Sequence, residues 1–420
     1  MAFLVALAAA TGLAFGLRRC YGDENGLDES VGVDSMTDAQ GYKARQERLL
    51  HHLHGAGVPV AVLSTPANLF YFSGVWLETG ERAVALILHE GKDPVFIVHE
   101  MFSAETDGVA MNRRFWRDGD DVYQQIANEI VSKNGISAHS KTAVAASIGA
   151  GGVRFAVDGG LEARHLLPIL GKNTNLSVPV LVDSFVSRLR AAKGQDEIAE
   201  LDVASQMADD VVQRVKEALV PGVTERDVAE RLAQLWKEVG APSMSFPPIV
   251  AFGKNGGSPH HEPGLSKLSK GDMVIVDTGG VYNHYCSDIT RTYLVGSATS
   301  EMQQVYEVCL EANLAGIAAA KPGVTLGAVD KAVRDVITKA GYGPHFTHRT
   351  GHGVGIEIHE PPFVSPGNDM VLEPGMVMSI EPGIYLPDKF GVRIEDLIVM
   401  EEARARPLNK APKSFADIVL

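Results

Sequence analysis

Cysteine is scarce: Cys20, Cys286 and Cys309 are the only three in 420 residues. An odd, scattered set without a Cys-x-x-Cys pair excludes a disulfide framework and a thiolate zinc site. It fits a reducing compartment, so the cytoplasm is the expected location. Basic clusters are also missing. Lys and Arg number 38 against 52 Asp and Glu, for a net charge of −14, and no nucleic-acid partner is expected, because a polyanion is held by patches of Lys and Arg. The pair Arg113-Arg114 sits among acids and reads as a solvated face. An acidic balance suits a soluble enzyme and a site that concentrates cations. The apolar run Ala2 to Gly16 spans 15 residues, short of the ~20 that a membrane helix needs. Its basic residues, Arg18-Arg19, follow the run, whereas a secretory signal carries them in front. Residues 1–35 therefore read as an extension outside the fold or a misplaced start, with weak membrane anchoring through residues 2–19 as the alternative. Gly149-Ala-Gly-Gly152 lacks the rest of a dinucleotide fingerprint and reads as a turn.

What remains is ordinary for a globular enzyme, with 45% hydrophobic and 21% charged residues in a chain long enough for two domains. From Thr37 to about Asp183, helix signals (Ala39–Gly55, Val122–Asn134) alternate with short apolar runs: Val58–Leu63, Ala83–Leu88, Val95–Val98 and Thr142–Ala145. That alternation predicts an α/β domain over 37–185. Ser187–Gln195 reads as a linker, giving 186–195 between the domains. A long helix from Asp196 to about Val220 opens the second domain, 196–420, and the whole chain is expected to be α+β.

The second domain carries an internal repeat. Pro221-Gly-Val-Thr224 recurs 101 residues later as Pro322-Gly-Val-Thr325. Each copy ends one helix, and its threonine caps the next, Glu225–Val239 or Leu326–Ala340. Further on, Met273-Val-Ile-Val-Asp277 aligns with Val377-Met-Ser-Ile-Glu381, and Asp288 aligns with Glu395. Both halves thus place acids at the ends of apolar strands, where a bare carboxylate meets a steep desolvation cost. Four acids brought together would repel one another, and divalent cations relieve that repulsion. His352, framed by glycines in Gly351-His-Gly-Val-Gly355, adds a nitrogen donor with room for close backbone approach. Asp277, Asp288, His352, Glu381 and Glu395 form a hard, oxygen-rich set that suits two ions, manganese first, with cobalt or zinc as alternatives. Such ions activate a shared water, a neighbouring glutamate takes its proton, and the outcome is amide hydrolysis. His260, His261 and His359 lie near the acid strands and are candidates for stabilising charge on a substrate.

Ile275-Val-Asp277, Ser287-Asp-Ile-Thr-Arg-Thr292, Gly351-His-Gly-Val-Gly355, His359-Glu-Pro-Pro362, Ser379-Ile-Glu-Pro-Gly383 and Val392-Arg-Ile-Glu-Asp396 resemble the pita-bread metallopeptidases. Within them the likeness is to the proline-specific branch, Xaa-Pro aminopeptidase and Xaa-Pro dipeptidase (prolidase). Asn68-Leu-Phe-Tyr-Phe-Ser-Gly74 is similar to a motif of the creatinase-like N-terminal domain that accompanies them. The resemblance covers about residues 37–420. It implies duplicated α/β halves around a curved, mainly antiparallel sheet, and a homodimer or higher homo-oligomer. It further implies that Asp277 ligates one ion, that Asp288 and Glu395 bridge both, and that His352 and Glu381 complete the ligand set of the other ion. Glu381 would be the general base; His260, His359 and Arg393 would meet a proline-containing peptide or dipeptide. A hydrolase of a small amide such as ectoine, and a non-catalytic binding protein of the same fold, are the rival readings.

Overall fold

A computed structural model describes residues 39–132 and 152–420. The 1–35 extension with Cys20, the run Thr142–Ala145 and most of the glycine turn 149–152 lie outside these residues.

Helix α1 (Ala39–Gly55) takes the expected bounds and buries Leu49 and Leu53. The first sheet is built from β1 (Val60–Leu63), β2 (Ala85–His89), β3 (Val95–His99), β4 (Asn112–Trp116), β5 (Ala156–Val157) and β6 (Val180–Leu181), in the order β4-β3-β2-β1-β5-β6. Between β1 and β2 lies α2 (Pro66–Ser73); α3 (Val122–Ile130), α4 (Ala163–Lys172) and α5 (Asp183–Ala191) follow β4, β5 and β6. Alternate residues point to opposite faces of a strand. Ala61 and Leu63 accordingly pack with α1 and α2, while Val60 and Val62 pack with Ile126 of α3 and Ile169 of α4. With both faces covered, the central strand β1 is apolar throughout.

The linker expected at 186–195 is mostly helix, because α5 runs through Ala191. Two of its three cations, Arg190 and Lys193, are buried. Arg190 donates to Asn68 Oδ1 (3.1 Å) and to Glu360, and Lys193 Nζ lies 2.8 Å from Glu360 Oε1, all of them buried. One apolar cluster also joins Leu63 and Leu86 to Ile198, Val354 and Leu397. Burial of this kind fixes the first domain on the second.

The second domain begins with α6 (Gln195–Arg214) and α7 (Glu225–Glu238). Strands β7 (Ile249–Phe252) and β8 (Met273–Thr278), the ribbon β9 (Val281–Tyr282) and β10 (Tyr285–Cys286), and β11 (Ile289–Leu294) complete the first half. The second half repeats it with α8 (Ser300–Ala319), α9 (Leu326–Lys339), β12 (Gly351–Gly353), β13 (Glu360–Val364), β14 (Val377–Ile380), the ribbon β15 (Gly383–Leu386) and β16 (Phe390–Arg393), β17 (Asp396–Met400) and β18 (Ala405–Pro407). The named strands here pair antiparallel, in sheets β11-β8-β7 and β13-β12-β14-β17-β18. The threonine caps form as expected: Thr224 accepts from Asp227 N–H and Thr325 from Ala328 N–H.

Candidate metal centre

The repeat dictates where the acids fall. Asp277 lies near the end of β8, opposite Ile249 of β7 and Thr290 of β11. Asp288 directly precedes β11. In the other half Glu381 directly follows β14, and Glu395 directly precedes β17. His352 is the middle residue of β12, and a Cβ at Gly351 or Gly353 would collide with the Ser379 or Glu360 carbonyl. Only glycine lets β12 come this close to its neighbours.

All five side chains line one cavity of about 470 Å³. Ligand atoms of Asp288, His352 and Glu395 lie within 4.8 Å of one another. His352 Nε2 is 3.6 Å from Asp288 Oδ2 and 3.4 Å from Glu381 Oε1. Asp277 stands further along the wall, its Oδ2 2.6 Å from Arg393 Nη2. The carboxylates are clamped on one side: Glu395 Oε2 accepts from the Thr290 hydroxyl (2.7 Å) and Glu381 Oε1 from the Ser379 hydroxyl (3.3 Å). Asp277 Oδ1, Asp288 Oδ1 and Glu395 Oε1 are buried without a hydrogen-bond partner among the described residues. Buried polar atoms are almost always satisfied, so three orphaned oxygens in one cavity fit a centre built for cations.

Electrostatics agree. Burial, reinforced by the neighbouring carboxylates, pushes Asp288 and Glu395 well above the usual carboxylate range. Glu381 is pushed up to about 7 by burial, with Arg393 opposing and Asp277 adding to the shift. His352 is driven down to about 3 by burial and by His359, leaving the neutral imidazole that metals bind. Four carboxylates and one neutral imidazole suit hard divalent ions.

Around this set, Arg393 also donates to Tyr385 Oη (2.9 Å), the Pro259 carbonyl (3.2 Å) and Thr290 Oγ1 (3.1 Å). His260 and His359 line the same cavity, the His359 ring 4.3 Å from that of His352. His261 does not: its Nε2 lies 2.8 Å from Glu225 Oε2. Sequence reasoning passed over His348 and Arg349, which also line the cavity, and Tyr385, whose hydroxyl lies 2.8 Å from His348 Nε2. For His348 and Arg349 the available signal was their position directly before Thr350-Gly-His352.

A duplicated antiparallel sheet that gathers four carboxylates and an imidazole in one cavity defines a pita-bread metallohydrolase. The description "Metallopeptidase family M24" matches residues 199–402, and "Creatinase/Prolidase N-terminal domain" matches 45–149. "Probable dipeptidase PepE" of Mycobacterium tuberculosis is 38% identical over 381 residues, which cover 89% of this chain and 96% of that protein. A recombinant prolidase from Thermococcus sibiricus superposes with a TM-score of 0.81 at 35% identity, covering 90% of this chain and 99% of its own. For an Xaa-Pro dipeptidase from Bacillus anthracis the values are 0.79, 30%, 90% and 100%. The chain belongs to metallopeptidase family M24. Among the described residues no helix is long and apolar enough to cross a membrane.

Proposed function

We propose that this peptidase hydrolyses the Xaa-Pro bond, in dipeptides first and at the N-terminus of longer peptides second. Asp277, Asp288, His352, Glu381 and Glu395 would hold two divalent ions, manganese in preference to cobalt or zinc. The observation that carries the reading is the set of five side chains in one cavity, three of whose carboxylates keep an oxygen without a protein partner. The prolidase and Xaa-Pro dipeptidase among the similar structures support the choice of bond. Retention of all five side chains speaks against a non-catalytic binding protein.

When bound, the ions supply an acidified water and a Lewis acid for the scissile carbonyl. Glu381 accepts the proton of the attacking water and delivers it to the proline nitrogen as that nitrogen leaves. His260 and His359, on the cavity wall, donate to the carbonyl oxygen as it gains negative charge. Arg393 holds Asp277 and Thr290 in place. Phe246, Ile249 and Ile358 give the cavity an apolar side for the proline ring.

The test is a substrate panel on the manganese-loaded full chain: Ala-Pro, Gly-Pro, Ala-Pro-Ala, and Ala-Ala as control. Cleavage of the dipeptides ahead of the tripeptide, with Ala-Ala far behind, is expected. Failure to cleave any Xaa-Pro bond would contradict the proposal.

A further inference from the structure

Glu225, the first residue of α7, is fully buried. Its Oε1 accepts from Phe252 N–H (2.9 Å) and Asn255 Nδ2 (2.8 Å), while its Oε2 lies 2.8 Å from His261 Nε2 and accepts from Gly264 N–H (2.9 Å). Burial opposes the charge, but these bonds hold the pKa below the ordinary glutamate value. A buried carboxylate is costly to keep, and the duplication shows what the fold would do without it.

At the same place in the second half stands Leu326, the first residue of α9 and equally buried. The backbone around the two is held alike. In the first half Gly222 donates to Leu268 O, Leu268 to Val223 O, Glu225 to Ser266 O and Arg226 to Gly264 O. In the second, Gly323 donates to Leu372 O, Leu372 to Val324 O, Leu326 to Met370 O and Gly327 to Asn368 O. An apolar residue therefore suffices to close this corner. Each adjoining loop carries a histidine to the cavity, His260 on 252–264 and His359 on 353–368, but they are anchored differently: the first by Glu225 of the helix, the second by its own Glu360 on Arg190 and Lys193. Beyond His260, the loop's Pro259 carbonyl is held by Arg393 (3.2 Å).

We infer that Glu225 is a positioning residue for the reaction: it clamps the 252–264 loop through His261 and the backbone, so that His260 meets the substrate. The inference rests on the proposed role of His260. With Arg393 at Pro259 and Glu225 at His261, the loop is fixed on both sides of the histidine that acts.

The test is a double-mutant cycle on the metal-loaded chain with Ala-Pro, using Glu225→Leu, the residue of the sister half, and Glu225→Gln in parallel. Glu225→Leu is expected to lower kcat roughly 10- to 100-fold with metal content unchanged, and to cost less than ~3-fold more in a His260→Ala background. Equal losses in both backgrounds would overturn the inference. If wild type leaves Xaa-Pro bonds intact, the substrate proposal fails, and crystal structures of Glu225→Leu and of the surface-accessible His261→Ala still decide the positioning. Displacement of His260 from the cavity supports it; an unmoved loop in both variants contradicts it.

Discussion

The hydroxyl of Thr290, in the first half of the duplication, donates to Oε2 of Glu395, in the second, across 2.7 Å. The Glu395 N–H returns to the Thr290 carbonyl (3.1 Å), and Arg393 Nε donates to the same hydroxyl (3.1 Å). The proposed metal centre therefore straddles the joint between the halves, and Thr290 would orient a ligand without being one. Thr290→Val keeps the shape and removes both bonds. Metal affinity, measured by calorimetric titration, should fall ~10- to 100-fold, with little change in the thermal midpoint.

Loss of a ligand or of the base should be far more severe. Asp288→Asn and Glu381→Ala are each expected to lower kcat/KM for Ala-Pro at least ~100-fold, since each withdraws several kcal/mol of transition-state stabilisation. Either variant working near the wild-type rate would show that its residue is misassigned.

The same Asp288→Asn substitution should have the opposite effect on the metal-free chain. There the carboxylate is buried, faces Glu395, Asp277 and Glu381, and has its pKa raised well above the ordinary value. A raised pKa means that ionised Asp288 destabilises the fold above its ordinary range, increasingly so as pH rises towards the folded value. Asparagine removes that charge, so at pH 7 the metal-free variant should be about 1–3 kcal/mol more stable than metal-free wild type in urea titrations. Equal or lower stability would show that the acids are not in conflict.

Glu360 titrates in the other direction. Burial opposes its charge, but Lys193 and Arg190 hold its pKa below the ordinary value of 4.5. Its contribution is complete above that value and fades as pH falls through the folded one. Glu360→Gln, which strands two buried cations, should cost about 3–5 kcal/mol at pH 7. The gap from wild type should narrow as pH drops below ~4.5. A pH-independent gap in denaturant titrations would contradict this account.

Much of this was legible beforehand for local reasons. The helices at Ala39–Gly55, Glu225–Glu238 and Leu326–Lys339 fall within a residue of expectation because the apolar periodicity lies inside each segment and, for the latter two, a threonine cap adjoins it. Asp277, Asp288, Glu381 and Glu395 stood out because the repeat set them at matching strand ends. What stayed hidden depends on distant partners. Arg190 and Lys193 look solvated in sequence, since Glu360 lies 170 and 167 positions away. The roles of His260 and His261 separate only through Glu225, 36 positions before His261. Tyr385 offered no local mark of its contact with His348 across 37 positions.

The most direct test of the metal account is a titration of the chelator-stripped full chain with manganese, following Ala-Pro hydrolysis and bound metal together. No turnover without metal and a plateau at two ions per chain are predicted. Full activity in the metal-free chain, or a plateau of activity at one ion, would contradict the two-ion centre.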